Sequence, residues 1–141
     1  MPAGWGVESR PTHNVKDVAE TDQADVVATY GALVAGLAPL GLAYLSVLHR
    51  DPESELVRGI AEGFGGPIMF NTGFSAMTTR QEAHHLIDSG LADVVAAGRP
   101  AIANPDLVER WAGDHPENEP NPDTFYGGGA EGYTDYPRLS A

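Results

Sequence analysis

Short apolar runs recur along the chain, separated by longer stretches of mixed polarity. Three of the runs, at residues 43–48, 67–71 and 93–97, are rich in β-branched, aromatic and long apolar residues, a composition typical of buried strands. A weaker run at residues 5–9 is expected to form a further strand. The apolar pattern therefore predicts four strands.

The stretches between the strands place apolar residues on one face of a helix. Four helices are predicted, at residues 25–40, 52–64, 79–89 and 105–111. Asp51 and Asn104 each precede a proline and are expected to cap the second and the fourth helix. Leu33 of the first helix and Ile87 of the third are counted among the residues that face the sheet.

Strands and helices thus alternate, which is typical of parallel strands joined by crossover helices. Four such units make half of a (β/α)8 barrel of the TIM type, and a complete barrel needs roughly 200 residues or more, against 141 in this chain. We therefore expect an α/β fold in which residues 1–112 form a half-barrel. Residues 113–141, rich in proline and glycine, are expected to form an irregular C-terminal tail that packs on it.

A half-barrel has consequences for stability. Four parallel strands leave two open edges and an uncovered inner face, which natural proteins usually cover. We expect large apolar residues to meet water on that face, namely Leu45, Ile68, Met69 or Val95. The chain is therefore expected to form a homo-oligomer or to need a complementary N-terminal half-barrel.

Composition narrows the classes of function. Eight basic residues face twenty acidic ones, for a formal charge of −12, which argues against a nucleic-acid partner. No apolar run approaches 18 residues, so no membrane span is expected. Cysteine is absent, which excludes disulfides and thiolate metal ligands. No secretory signal is visible, and a cytoplasmic location without a metal site is expected.

Glycine-containing segments follow the third and the fourth predicted strand. Asn71, Gly73 and Phe74 belong to the first of them, and Gly98 and Arg99 to the second. The loops after the last two strands of a (β/α)8 barrel often bind a phosphate. Glycine lets backbone N–H groups approach it, and arginine adds a charge-assisted contact. The alternative is two glycine turns and a surface arginine, but the placement at consecutive strand ends favours the phosphate site.

Several segments resemble the old yellow enzyme family of flavin-dependent oxidoreductases, in the family's order and at about its spacing. They are residues 41–45 (GLAYL), 71–74 (NTGF), 90–93 (GLAD), 98–107 (GRPAIANPDL), 124–126 (TFY) and 132–137 (GYTDYP). The resemblance covers residues 28–137 and identifies the four units as the last four of the barrel. It implies an FMN-dependent enzyme that takes hydride from NAD(P)H and reduces an activated alkene.

The resemblance also implies roles for individual residues. The cluster of Asn71, Gly73, Phe74, Gly98 and Arg99 is similar to the family's site for the flavin phosphate. The pair that follows in the tail, Phe125 and Tyr126, is similar to aromatic residues near the flavin ring and the substrate mouth; ordinary packing of the tail is the alternative.

The N-terminal strand departs from the family's pattern. The family usually has Val-Arg-Leu-Ser-Pro there, and its arginine reaches the flavin; this chain has Glu8 at the arginine position and Arg10 two residues later. Because strand side chains alternate, Arg10 would face the same side as Glu8 and take over the flavin contact. A damaged or unrelated N-terminus explains the sequence equally well.

The family's substrate-orienting residues and its proton donor belong to the first half of the barrel and have no counterpart here. No catalytic residue is therefore assigned, and the chain alone is expected to be inactive. The main hypothesis is an FMN-dependent NAD(P)H oxidoreductase of which this chain supplies the phosphate-binding half. The alternatives are a non-catalytic remnant and a half-barrel that binds another phosphate ligand and needs a partner half.

Overall fold

A computed structural model describes residues 6–8, 23–73 and 76–139. Four strands form one parallel sheet in sequential order. They are β1 (Gly6–Glu8), β2 (Leu45–Leu48), β3 (Ile68–Asn71) and β4 (Val94–Val95). The predicted parallel, sequential arrangement is confirmed, although each strand is shorter than its apolar run.

Five helices accompany the sheet among the described residues. They are α1 (Gln23–Leu37), α2 (Glu55–Phe64), α3 (Arg80–Asp88), α4 (Gly98–Ala103) and α5 (Leu107–Gly113). The helix-covered face of β2 and β3 is fully buried, and α2 and α3 add further apolar residues to the same core. Gly63 lets α1 cross α2 closely, because a Cβ at this position would lie 2.7 Å from Cγ2 of Val34.

The inner face of the sheet carries different residues from those expected. Leu45 and Ile68 are buried under the helices, at 0% and 4% exposure, so their assignment to the open face is wrong. Val95 pairs in register with the buried Phe70 and also packs against the core. The open face carries the half-buried Met69 and its neighbour Val94, which is 48% exposed. Successive side chains of a strand point to opposite faces, so the adjacent Ile68 and Met69 could not both lie on the open face.

Two helix termini differ from the prediction for local reasons. The first α-helix ends at Leu37 and continues as a 3-10 turn through Leu40, because Pro39 has no N–H for an α-helical bond. The second begins at Glu55, and its N-cap is Ser54, whose hydroxyl accepts the Val57 N–H at 3.3 Å. Asp51 caps no helix and instead accepts the Glu53 N–H within a turn.

The helix expected at residues 105–111 is shifted by two residues, and a further short helix, α4, precedes it. Asn104 ends α4 rather than capping the next helix, and its side chain donates back to the Pro100 carbonyl at 2.9 Å. Helix α5 follows from Leu107. Two residues expected to face the sheet are exposed instead, Leu33 at 42% and Ile87 at 44%.

The tail beyond α5 contains no α-helix through residue 139, and one 3-10 turn at Pro122–Thr124. It is nonetheless hydrogen bonded to the helices at several points. Arg110 of α5 donates to the carbonyls of Pro116 and Pro137, at 2.5 and 2.8 Å. The tail thus leaves α5 and returns to it.

Candidate phosphate site at the strand ends

A cleft of about 370 Å³ opens beyond the carboxyl ends of β3 and β4. Its described lining residues are Leu48, Asn71, Gly73, Ala76, Thr78, Gly98, Arg99, Pro100, Ile102 and Tyr126. The volume lies within the range of about 300–1,000 Å³ that is usual for small-molecule sites. Ligands of parallel α/β sheets bind at this end of the strands, so the position favours a binding site.

Asn71 at the end of β3 organises one wall of the cleft. Its side-chain oxygen accepts the Gly73 N–H at 2.8 Å, and its amide nitrogen donates to the Ala96 carbonyl at 3.2 Å. The same carbonyl accepts the Thr78 hydroxyl at 3.2 Å. Gly73 has φ +102°, which L side chains rarely adopt. One amide therefore fixes both the glycine turn after β3 and the chain that follows β4.

Arg99 spans the gap between the two strand ends. Its Nη2 donates to the Gly73 carbonyl at 3.2 Å and also to the Ala76 carbonyl. Both contacts use Nη2, so Nε and Nη1 take no part in binding these two carbonyls. A guanidinium carries five N–H donors in a planar fork, so donors remain for an anion in the cleft.

The backbone at Gly98 adds further donors. This residue begins α4, and the N-cap, Ala97, has no side chain that can accept a hydrogen bond. The first N–H groups of a helix have no partner within the helix. Gly98 and Arg99 therefore bring backbone N–H groups and a cation to the same wall of the cleft.

The cleft differs in charge from the rest of the molecule. Arg99 is its only charged residue among the described lining residues, although the chain carries a formal charge of −12. No group of three or more potential metal ligands occurs in the described residues. The residues present therefore suit an anion better than a cation.

Tyr126 comes to the mouth of the cleft from the tail. It lines the cleft, yet 87% of its surface is exposed. Phe125 is half-buried and is not a described lining residue, but its ring packs edge-on against that of Tyr126, with centroids 6.2 Å apart and planes at 89°. The two aromatic residues therefore form one unit, of which only Tyr126 reaches the cleft.

A buried polar cluster on α5 holds the tail. Nε of Arg110 is 2.6 Å from a carboxylate oxygen of Asp106, and the other carboxylate oxygen accepts the Leu139 N–H at 2.7 Å. The Arg110 hydrogen bond and, after it, the Leu139 hydrogen bond hold the pKa of Asp106 below its ordinary value. Asn118 donates to the carbonyls of Ala103 and Pro137, both at 2.8 Å.

The structure brings together most of the residues proposed from the sequence. Asn71, Gly73, Gly98, Arg99 and Tyr126 line one cleft. Two others, Phe74 and Arg10, lie outside the described residues, so their roles stay predictions. The backbone of Glu8 pairs with that of Leu48, which is a lining residue.

The cluster around Arg110 was not predicted from the sequence, which indicated only that residues 113–141 form an irregular tail that packs on the half-barrel. The signal available was the i, i+4 spacing of Asp106 and Arg110 on one short helix. Nothing in the sequence shows that this pair is buried or that carbonyls of the distant tail complete it.

No described helix is long and apolar enough to cross a membrane.

Comparisons with known proteins identify relatives of one kind. No family model matches the chain. A probable flavin mononucleotide-dependent alkene reductase of Leishmania infantum is 37% identical over 99 residues, which cover 68% of this chain and 26% of the relative. A 12-oxophytodienoate reductase-like protein of Solanum lycopersicum is 32% identical over 136 residues, covering 95% of this chain and 36% of the relative. The chain thus spans well under half the length of these relatives.

Solved structures agree with the sequence relatives. Morphinone reductase in complex with tetrahydroNAD superposes with a TM-score of 0.70 and 39% identity, over 81% of this chain and 31% of that protein. The old yellow enzyme from Trypanosoma cruzi superposes with a TM-score of 0.69 and 36% identity, over 81% and 30%. The parallel sheet and its helices correspond to part of the α/β barrel of these enzymes. The chain belongs to the old yellow enzyme family of flavin-dependent oxidoreductases.

Proposed function

We propose that this chain supplies the FMN-phosphate-binding half of an NAD(P)H-dependent oxidoreductase that acts on activated alkenes. The observation that carries the proposal is the cleft beyond β3 and β4, where Gly73, Gly98 and Arg99 converge. The relatives support the flavin and the alkene, since one of them is a probable flavin mononucleotide-dependent alkene reductase. We further propose that residues 1–112 form the half-barrel and that residues 113–141 form the tail.

The residues of the cleft fit a phosphate monoester. Arg99 has donors left over after it binds the loop carbonyls, and the positive φ of Gly73 keeps that wall free of a side chain. The N–H groups of Gly98 and Arg99 add donors without adding bulk. No carboxylate lies among the described lining residues, so the overall negative charge of the chain is not concentrated at the site.

Tyr126 would border the bound ligand, because it is the aromatic residue among the described lining residues. Phe125 would support it from behind through the edge-on ring contact. The bound flavin would supply the hydride chemistry, and the role of these residues is to bind it and orient it. Among the described lining residues, Tyr126 and Thr78 carry hydroxyl groups, and the Thr78 hydroxyl already donates to the Ala96 carbonyl.

The open face of the sheet supports the need for a complementary half. Val94 is 48% exposed beside the half-buried Met69, on the face that a closed barrel would cover. We therefore propose that the chain alone does not reduce alkenes and that a complementary half-barrel or a second copy covers this face.

The test is a titration of the 141-residue chain with FMN and, in parallel, with riboflavin, which lacks the phosphate. FMN is expected to bind more tightly than riboflavin. Replacing Arg99 with alanine should weaken FMN binding by about 2 kcal/mol, or roughly 30-fold, the scale of one charge-assisted hydrogen bond. Arg99→Lys should restore part of the affinity, because the charge is kept and the fork is lost.

Arg58→Ala is the matched control, because Arg58 is an exposed arginine of α2, away from the cleft. Its affinity for FMN should equal that of the unmodified chain. Riboflavin affinity should change little in either variant, since the phosphate contact is absent from both measurements. Equal binding of FMN and riboflavin, or an Arg99→Ala variant with full FMN affinity, would refute the phosphate site.

A further inference from the structure

The tail forms a closed excursion from α5, residues 116–137, which we call the tail lobe. Both of its ends meet at one side chain, because Arg110 donates to the carbonyls of Pro116 and Pro137. Asn118 closes the same base, donating to Pro137 within the lobe and to Ala103 at the end of α4. The backbone N–H of Asn118 also donates to the Asn104 side chain at 2.7 Å.

The lobe is held together internally as well. The Thr124 hydroxyl lies 2.8 Å from the Asn121 carbonyl oxygen and 2.9 Å from that of Gly132, and its single hydrogen is shared between these two acceptors. Gly132 has φ +66°, and a Cβ at this position would lie 2.5 Å from the Thr124 hydroxyl oxygen. The Asn121 N–H donates to the Tyr136 hydroxyl at 2.8 Å. The segment of the lobe that carries Tyr126 is therefore joined through Thr124 to the segment that returns to α5.

Tyr126 depends on these bonds for its position. Its ring is 87% exposed, so packing alone does little to hold it, and its described ring contact is with Phe125 of the same lobe. We propose that Arg110 and Asn118, neither of which lines the cleft, are positioning residues that hold the Tyr126 ring at the cleft mouth by closing the base of the tail lobe. The effect on a flavin ligand rests on the proposed function, whereas the positioning of the ring does not.

The first measurement needs no ligand. The 141-residue chain is labelled with 3-fluorotyrosine, and the signal of Tyr126 among the five tyrosines is assigned with Tyr126→Phe. In Asn118→Ala and in Gly132→Ala, the fluorine signal of Tyr126 should move to its position in the urea-unfolded chain. Amide exchange at Thr124 should accelerate roughly tenfold in both variants, while exchange at Val47 in the sheet stays unchanged, because only the lobe opens.

Gly129→Ala is the matched control for Gly132→Ala. A Cβ at Gly129 would meet no atom within 4 Å, and its φ is not in the positive region. Its fluorine spectrum and amide exchange should equal those of the unmodified chain. Unchanged Tyr126 signals in both Asn118→Ala and Gly132→Ala, or the same shift in Gly129→Ala, would overturn the proposal.

A second measurement separates positioning from general stability. FMN affinity is compared in Tyr126→Ala, Asn118→Ala and the double variant. If Asn118 acts through Tyr126, the double variant should bind FMN as Tyr126→Ala does, because the ring to be positioned is already gone. Additive losses would overturn the positioning role. If the unmodified chain binds no FMN, the proposed function fails, and the fluorine signals still decide the role of the lobe.

Discussion

Replacing Asn71 perturbs the fold and the proposed site by different amounts, and two substitutions separate the effects. The Asn71 side chain makes two partly buried hydrogen bonds, one from the Gly73 N–H and one to the Ala96 carbonyl. A protein hydrogen bond contributes about 1 kcal/mol net, so Asn71→Ala should lower the free energy of unfolding by about 2 kcal/mol. Thr78→Val removes one hydrogen bond to the same carbonyl and should cost about 1 kcal/mol.

Asn71→Asp keeps the acceptor for Gly73 and loses the donor to Ala96. A carboxylate oxygen would then face the Ala96 carbonyl oxygen, and two acceptors repel, so Asn71→Asp should also be less stable than the unmodified chain. The new carboxylate, however, would lie in the cleft beside Arg99, where it repels a phosphate. FMN binding should fall roughly tenfold or more in Asn71→Asp, and riboflavin binding much less.

Urea unfolding followed by circular dichroism measures the first effect, and flavin fluorescence titration the second. Both variants should be less stable than the unmodified chain, and Asn71→Asp should discriminate more strongly than Asn71→Ala against FMN relative to riboflavin. If Asn71→Asp binds FMN as well as the unmodified chain, a phosphate does not lie in this cleft. If Asn71→Ala is as stable as the unmodified chain, the two hydrogen bonds do not hold the strand ends together.

Three further outcomes follow from burial and charge. Leu86→Ala should lower the free energy of unfolding by about 3 kcal/mol, because Leu86 is 0% exposed. Ile87→Ala, on the exposed side of α3, should change it by less than about 1 kcal/mol. Equal losses of stability in urea unfolding would contradict the orientation of the helix. The pKa of Asp106 is lowered in the folded chain, so its stabilisation is present above the unfolded value of about 3.9 and is lost as pH falls through the folded value. The difference in urea midpoint between the unmodified chain and Asp106→Asn should therefore be large at pH 7 and shrink below about pH 4, and a difference independent of pH would contradict this account. Light scattering of the 141-residue chain should show concentration-dependent association that Val94→Glu reduces, because Val94 lies on the open sheet face; a monomer at all concentrations would show that this face needs no cover.

The order of the strands could be predicted from the sequence because each apolar run is local and alternates with a helical pattern. The strand faces could not be assigned in the same way. Ile68 and Met69 are both large and apolar, and only the register with the neighbouring strand shows that Ile68 faces the helices. The predictions that Leu33 and Ile87 face the sheet were wrong for a related reason. An apolar residue at the margin of the apolar face of a helix is exposed when no neighbouring element packs against it.

The candidate site likewise has a part that the sequence predicts and a part that it does not. Asn71, Gly73, Gly98 and Arg99 were proposed because each lies within a few residues of a strand end, and parallel strands bring those ends together. The anchoring of the tail could not be predicted, because it joins residues far apart in the chain, such as Asp106 with Leu139. A polar residue satisfied by distant carbonyls has the same sequence pattern as one that faces water.

The cleft is formed by residues close together in the chain, whereas the tail is anchored by residues far apart, so substitutions should affect the two parts of the proposed site separately. The Arg99 wall is built from hydrogen bonds within two strand-end loops, so it should survive loss of the tail. The Tyr126 wall depends on a base whose ion pair is buried on both sides, at 5% and 2% side-chain exposure. Removing one partner of such a pair leaves an uncompensated buried charge and is strongly destabilising. Phosphate affinity and aromatic coverage of the cleft should therefore be lost independently, the first through Arg99 and the second through Arg110.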